Sequence, residues 1–152
     1  MTLIEIMAAI VIIAIAVIGA SGYRYYAALD ARRASNRSTA ARIALLLSEN
    51  WRGLGHDRTA DFDPPAHLYP DMDVAVSSEA GPDYAYGFTP LGRYEIVANN
   101  AQFWAALSYR DEAADLRTLN TVVAWKGRPG ITDDSGDINM DKTFKLTTFV
   151  SN

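Results

Sequence analysis

Leu3–Ala20 reads LIEIMAAIVIIAIAVIGA, eighteen residues with a single charge, Glu5. A helix rises 1.5 Å per residue, so about 20 apolar residues cross a hydrocarbon core of about 30 Å. The run is longer than the apolar segment of a cleaved secretory signal. No proline interrupts residues 1–63, and Ala, Leu and Arg dominate the stretch after the run. All three are strong helix formers. Beyond Ser35, Ala40, Ile43, Ala44, Leu47, Trp51 and Leu54 recur at i, i+3/i+4 spacing, which predicts an amphipathic face. Gly53 and Gly55 supply a stop. Residues 1–54 therefore read as one long helix. Its half 1–23 is apolar all round, and its half 24–54 has one face to bury.

Composition sets limits on the rest. The chain has 152 residues, 49% hydrophobic and 21% charged, which excludes a disordered polypeptide. It has no cysteine, hence no disulfide framework and no thiolate metal site. The formal charge of −4 argues against nucleic acid as a partner. That average conceals a partition: residues 1–54 carry +3 and residues 55–152 carry −7.

Residues 55–82 mix four prolines with five aspartates and read as an irregular loop. Residues 83–152 read as an antiparallel sheet. Asp83–Phe88 and Arg93–Ala98 are strand candidates, and Ala101–Tyr109 fits strand or helix. Thr121–Trp125 and Lys142–Val150 are the clearest strands, rich in β-branched and aromatic residues. In the last, Phe144, Leu146, Thr148 and Val150 share one side. The expected fold is α+β: a long N-terminal α-helix packed by its C-terminal half on an antiparallel β-sheet, with the stripe Ile43–Leu47–Trp51 beneath one sheet face.

Glu5 carries the chemistry of the apolar run. A carboxylate there is expensive and needs a partner. One partner is local, because Thr2-x-x-Glu5 has the spacing of a capping box. The other is intermolecular: the α-amino group of Met1 in a neighbouring copy, shifted along the axis, is a cation that would neutralise it. The two roles can coexist. Gly19 and Gly22, separated by Ala20 and Ser21, are the weak points of the helix. They serve either close helix packing in lipid or local loosening between the two halves.

MTLIEIMAAIVIIAIAVIGA resembles the mature N-terminus of type IV pilins and pilin-like proteins: Thr2, Leu3, a glutamate at position 5 and an unbroken apolar helix. The resemblance covers about the first 25 residues. The terminal strand pair TVVAW…FKLTTFV is weakly similar to the end of minor pilins and pseudopilins. The resemblance implies a type IV pilin fold and a structural subunit of a helical filament, with Glu5 pairing to the amine of a neighbour. It implies a basic leader cut before Met1 by a prepilin peptidase, methylation of Met1, a partner assembly machinery, and residence in the inner membrane before export to a surface filament (fimbrium). A pseudopilin of a type II secretion system or a minor pilin shares this architecture. The chain departs from well-known pilins in lacking a proline near residue 22 and a C-terminal cysteine pair. A reading from another class is a monomeric membrane-anchored binding domain, which accounts for the apolar run but not for Thr2–Glu5.

Other constellations are weaker. Asp133, Ser135, Asp137, Asn139 and Asp141 place oxygens at every second position of ITDDSGDINMD, a pattern compatible with calcium. It is not an EF-hand, since Gly136 is off position and Phe144 stands where the bidentate glutamate belongs. The plain alternative is a solvated acidic turn. His56 and His67 lie among aspartates without a third ligand of their kind. No G-x-S-x-G, phosphate loop or dinucleotide fingerprint occurs, so no enzyme and no cofactor is expected. Arg24, Arg32, Arg33, Arg37 and Arg42 read as a solvated helix face or as partners for aspartates on neighbouring copies. Tyr23, Tyr25 and Tyr26 fall where a membrane interface or bundle surface would lie. Asn36-Arg37-Ser38 matches a common glycosylation sequon.

Overall fold

The computed structural model describes residues 2–53, 62–77, 81–113, 116–127 and 140–151, with only the backbone at His67 and Leu68. Helix α1 spans Leu3–Gly53. Six strands come after it: β1 (His67–Tyr69), β2 (Met72–Val76), β3 (Thr89–Ala98), β4 (Ala101–Ala113), β5 (Leu116–Trp125) and β6 (Lys142–Ser151). The layout is α+β, with a long apolar N-terminal helix and an antiparallel sheet. The chain divides into two compact units, Met1–Ser35 and Asn36–Asn152.

The first unit is helical, and residues 2–28 are all exposed. Leu3, Ile12 and Ile18 are among the large apolar side chains left open. The α-helical assignment runs unbroken through Gly19–Gly22, where the Ser21 hydroxyl donates to the Val17 carbonyl at 2.8 Å.

In the second unit the strands lie in chain order, β1 through β6, each antiparallel to the next. Such a meander needs only short connections. The β3–β4 hairpin closes with Asn99 and Asn100 between the paired Ala98 and Ala101, at φ of 51° and 58°. Two positive φ values in a two-residue loop make a type I′ turn, and asparagine tolerates that conformation best after glycine.

Alternation assigns the inner face. Tyr94 and Ile96 of β3 pair with Ala105 and Phe103 of β4, which pair in turn with Val123 and Trp125 of β5. These join Ile43, Ala44, Leu47 and Trp51 of α1 in one buried cluster. The stripe at i, i+3/i+4 thus packs on the sheet as its spacing predicts. In β6, Phe144, Leu146 and Thr148 are half-buried and Val150 is buried, while Thr143, Lys145, Thr147 and Phe149 are exposed. One polar pair bridges helix and sheet. Ser48 Oγ donates to the Ala44 carbonyl at 2.7 Å and lies 3.4 Å from Thr121 Oγ1. The serine proton is engaged, so the threonine hydroxyl is the donor between them.

Tyr94 ties the start of the described 62–77 segment to the core. Its phenol donates to the Phe62 carbonyl at 2.6 Å, and its ring meets the Phe62 ring edge-on at 5.8 Å. Gly92 makes room for it: a Cβ there would lie 2.8 Å from Tyr94 Cζ. The register slips between Pro90 and Gly92 at the same place.

Three expectations change. Residues 55–82 are not wholly irregular, since β1 and β2 lie within them. Asp83–Phe88 is not a strand. Two of its three aromatic residues rest on arginines instead, Tyr84 under Arg93 and Phe88 under Arg110, each with the guanidinium 4.8 Å from the ring centre, while Tyr86 is exposed. Ala101–Tyr109 resolves as strand. Its ambiguity has a physical source, because β4 buries both faces. Phe103, Ala105 and Leu107 face inward, yet Trp104, Ala106 and Ser108 on the other face are also buried. A strand covered on both sides shows no polar alternation.

Candidate assembly surfaces

Glu5 sits in the first turn of α1, where a carboxylate complements the positive end of the helix dipole. Its Oε2 accepts the Thr2 N–H at 2.8 Å. The Thr2 carbonyl accepts from the Glu5 and Ile6 N–H groups at 3.1 and 3.4 Å. The first of these bonds is the glutamate half of a capping box. It occupies one carboxylate oxygen through a neutral donor. It leaves the negative charge uncompensated by any cation among the described residues. Met1 lies outside those residues. The rest of the run, to Ala20, carries no charge at all and is exposed throughout. By length and composition α1 qualifies as a membrane anchor or as a signal sequence.

Gly19 and Gly22 are helical, and a Cβ added to either meets nothing within 4 Å. Among the described residues no packing partner requires glycine at either position. Tyr23, Tyr25 and Tyr26 are exposed, with the last two in edge-to-face contact at 5.8 Å.

The five arginines divide. Arg33 pairs with Asp30 at 3.2 Å, and Arg42 lies 3.9 Å above the Tyr69 ring. Arg24, Arg32 and Arg37 have no partner among the described residues.

Of the proposed calcium ligands, Asp133, Ser135, Asp137 and Asn139 lie outside the described residues, as does His56. Asp141 is described and has another task. Its Oδ1 accepts the Gly127 N–H at 2.6 Å, and its Oδ2 lies 3.5 Å from Lys142 Nζ. The Gly127 hydrogen bond, with help from Lys142, holds the Asp141 carboxyl below the usual range. The bond fastens the end of β5 to the start of β6. Among the described residues no group of three or more His, Asp or Glu is placed to hold a metal ion.

Sequence reasoning missed a pattern of rings and guanidinium groups. In the second unit Arg42, Arg93, Arg110 and Arg117 each lie over an aromatic ring, at 3.9 to 4.8 Å from its centre. The pairings join distant residues, so no local spacing announces them. Arg117 is nearly buried and also reaches Asp111 Oδ1 at 2.5 Å. At the end of the same unit, α1 and β6 border an open surface groove of about 500 Å³ lined by Glu49, Arg52, Gly53, Phe149, Val150 and Ser151.

No protein-family model, curated protein or solved structure matches this chain.

Proposed function

We propose that this chain is a structural subunit of a type IV pilus-like helical filament. The observation that carries the reading is the exposed apolar half of α1 with Glu5 as its only charge. That surface must be covered by lipid or by other copies of itself, and a buried carboxylate then needs a cation. The α-amino group of a neighbouring copy meets the need if the copies are displaced along the axis by about one helical turn. Such a contact is heterologous and does not close, so it propagates. Before assembly the apolar half resides in the inner membrane. A prepilin peptidase and an assembly machinery are the implied partners, and Met1 is the implied site of methylation.

A membrane-anchored domain would need the same apolar run but would be indifferent to the charge at position 5. Glu5→Gln separates the two, because glutamine still accepts the Thr2 N–H and preserves the cap while removing the charge. Filaments sheared from cells are counted by electron microscopy and immunoblot. The expected result is at least a tenfold loss of filaments for E5Q, with membrane levels of the protein unchanged. Wild-type filament yield from E5Q would overturn the ion pair. If the wild-type chain forms no filaments, the subunit reading itself fails.

A further inference from the structure

The first unit has three tyrosines close together, and none is covered by the rest of the chain. Tyr23, Tyr25 and Tyr26 are 77%, 63% and 68% exposed. Consecutive residues of an α-helix point about 100° apart, so Tyr23, Arg24, Tyr25 and Tyr26 go once round α1. They form a collar at one level of the helix. A partner helix covers one face of its neighbour. A collar open on every side at a single level fits a layer that surrounds the helix.

Depth identifies that layer. Leu3 and Tyr23 stand about 30 Å apart along the axis at 1.5 Å per residue, the thickness of a hydrocarbon core. Every residue between them is exposed, and Glu5 is the only charge. Tyrosine suits the boundary of such a core, being apolar along its ring and polar at its tip. With the collar at one edge of the core, Glu5 lies within about 3 Å of the other. Its carboxylate already reaches toward that end of the helix, since Oε2 accepts the Thr2 N–H. The charge then meets headgroups and water rather than hydrocarbon.

Charge completes the match. Residues 21–37 carry four arginines and one aspartate. A headgroup layer adds about 5–8 Å to each side of the core. Arg24 stands about 1.5 Å beyond Tyr23 and falls inside the layer, whereas Arg32 stands about 14 Å beyond and falls outside. Arg24 has no partner among the described residues, and a guanidinium pairs well with a phosphate.

We propose that Tyr23, Arg24, Tyr25 and Tyr26 form a headgroup anchor that binds anionic phospholipid and fixes the depth of α1 in the bilayer. The anchor presupposes the membrane residence proposed above, and adds to it a lipid class and the residues that bind it.

The absence of cysteine makes a direct test possible. Ala20→Cys and Ala27→Cys flank the collar, leave it intact and accept a nitroxide label. The full chain is placed in vesicles of phosphatidylcholine and phosphatidylglycerol in equal parts. Collision with a water-soluble nickel chelate, read by electron paramagnetic resonance, should be at least tenfold greater at position 27 than at position 20. Replacing the three tyrosines by alanine should at least halve that contrast. Around the unlabelled chain, spin-labelled phosphatidylglycerol should be retained at least twofold over spin-labelled phosphatidylcholine. Arg24→Gln should abolish this preference, and Arg32→Gln should leave it as in the wild type. An unchanged contrast without the tyrosines would overturn the anchor while the membrane span stands. So would a lipid preference that is missing from the wild type, survives Arg24→Gln or is lost equally in Arg32→Gln. A chain that alkaline carbonate strips from the vesicles would remove the membrane residence and the anchor with it.

Discussion

Tyr94→Phe tests how the sheet unit is closed. The substitution deletes one oxygen and keeps the ring. That oxygen is buried, since Tyr94 is 1% exposed, and it donates to the carbonyl of Phe62, itself buried. Among the described residues the carbonyl has no other donor, so the loss leaves a buried acceptor unsatisfied, at a cost of about 1–3 kcal/mol. For a domain near 100 residues this is a fall in Tm of about 4–12 °C. A second signature comes from protonation. Burial, reinforced by Tyr84 and Asp63, raises the Tyr94 pKa well above its ordinary value near 10. A raised pKa means that the folded state keeps a proton the unfolded state releases. The stabilisation is therefore complete below pH 10 and drains away as pH rises through the window above it. One pH unit into that window the loss is about 1.4 kcal/mol. Wild type should exceed Y94F in stability at pH 8, and the gap should narrow by about that amount at pH 11. Urea titration of the full chain in detergent micelles measures both, monitored by the fluorescence of Trp51, Trp104 and Trp125, which are all buried. Equal stability at pH 8 would mean that the carbonyl finds another donor. A gap constant from pH 8 to 11 would mean that the phenol is not the linked group.

Two further outcomes are expected. Leu47→Ala removes a fully buried side chain from the helix–sheet core and should cost about 2–5 kcal/mol in the same titration, whereas Leu45→Ala on the 53% exposed position should change stability by about 0.5 kcal/mol or less. Asp141→Ala should weaken the β5–β6 junction modestly and flatten the acid side of the stability curve. The lowered Asp141 pKa gives stability that is present above about pH 4 and lost as pH falls through the folded value. Hydrogen exchange at the Gly127 amide, which loses its acceptor, is the direct readout.

Much of the architecture was legible in the sequence because it depends on patterns within single segments. The apolar run, its solitary Glu5 and the stripe Ile43–Leu47–Trp51 are all readable along one helix. Thr121–Trp125 and Lys142–Val150 declared themselves as strands by composition, and the inward set of β6 came from alternation. The expectations that failed depended on partners. Met72–Val76 lies in a stretch whose prolines and aspartates read as loop, yet it pairs along its whole length with Tyr94–Ala98. Asp83–Phe88 alternates like a strand, but Tyr84 and Phe88 are claimed by Arg93 and Arg110 rather than by a ladder.

The candidate assembly surfaces divide the same way. The sequence alone determined that one end of the molecule is apolar, that a single carboxylate interrupts it, and that positive and negative charge are segregated along the chain. These are properties of composition and order, and folding cannot alter them. Only the tertiary structure decided that Tyr86 and Phe149 stay exposed, that Arg52 and Glu49 come to the end of β6, and that Asp141 serves the Gly127 amide. Each of those facts rests on which distant residues come within a few ångströms, and that is set by strand order and register rather than by any local spacing.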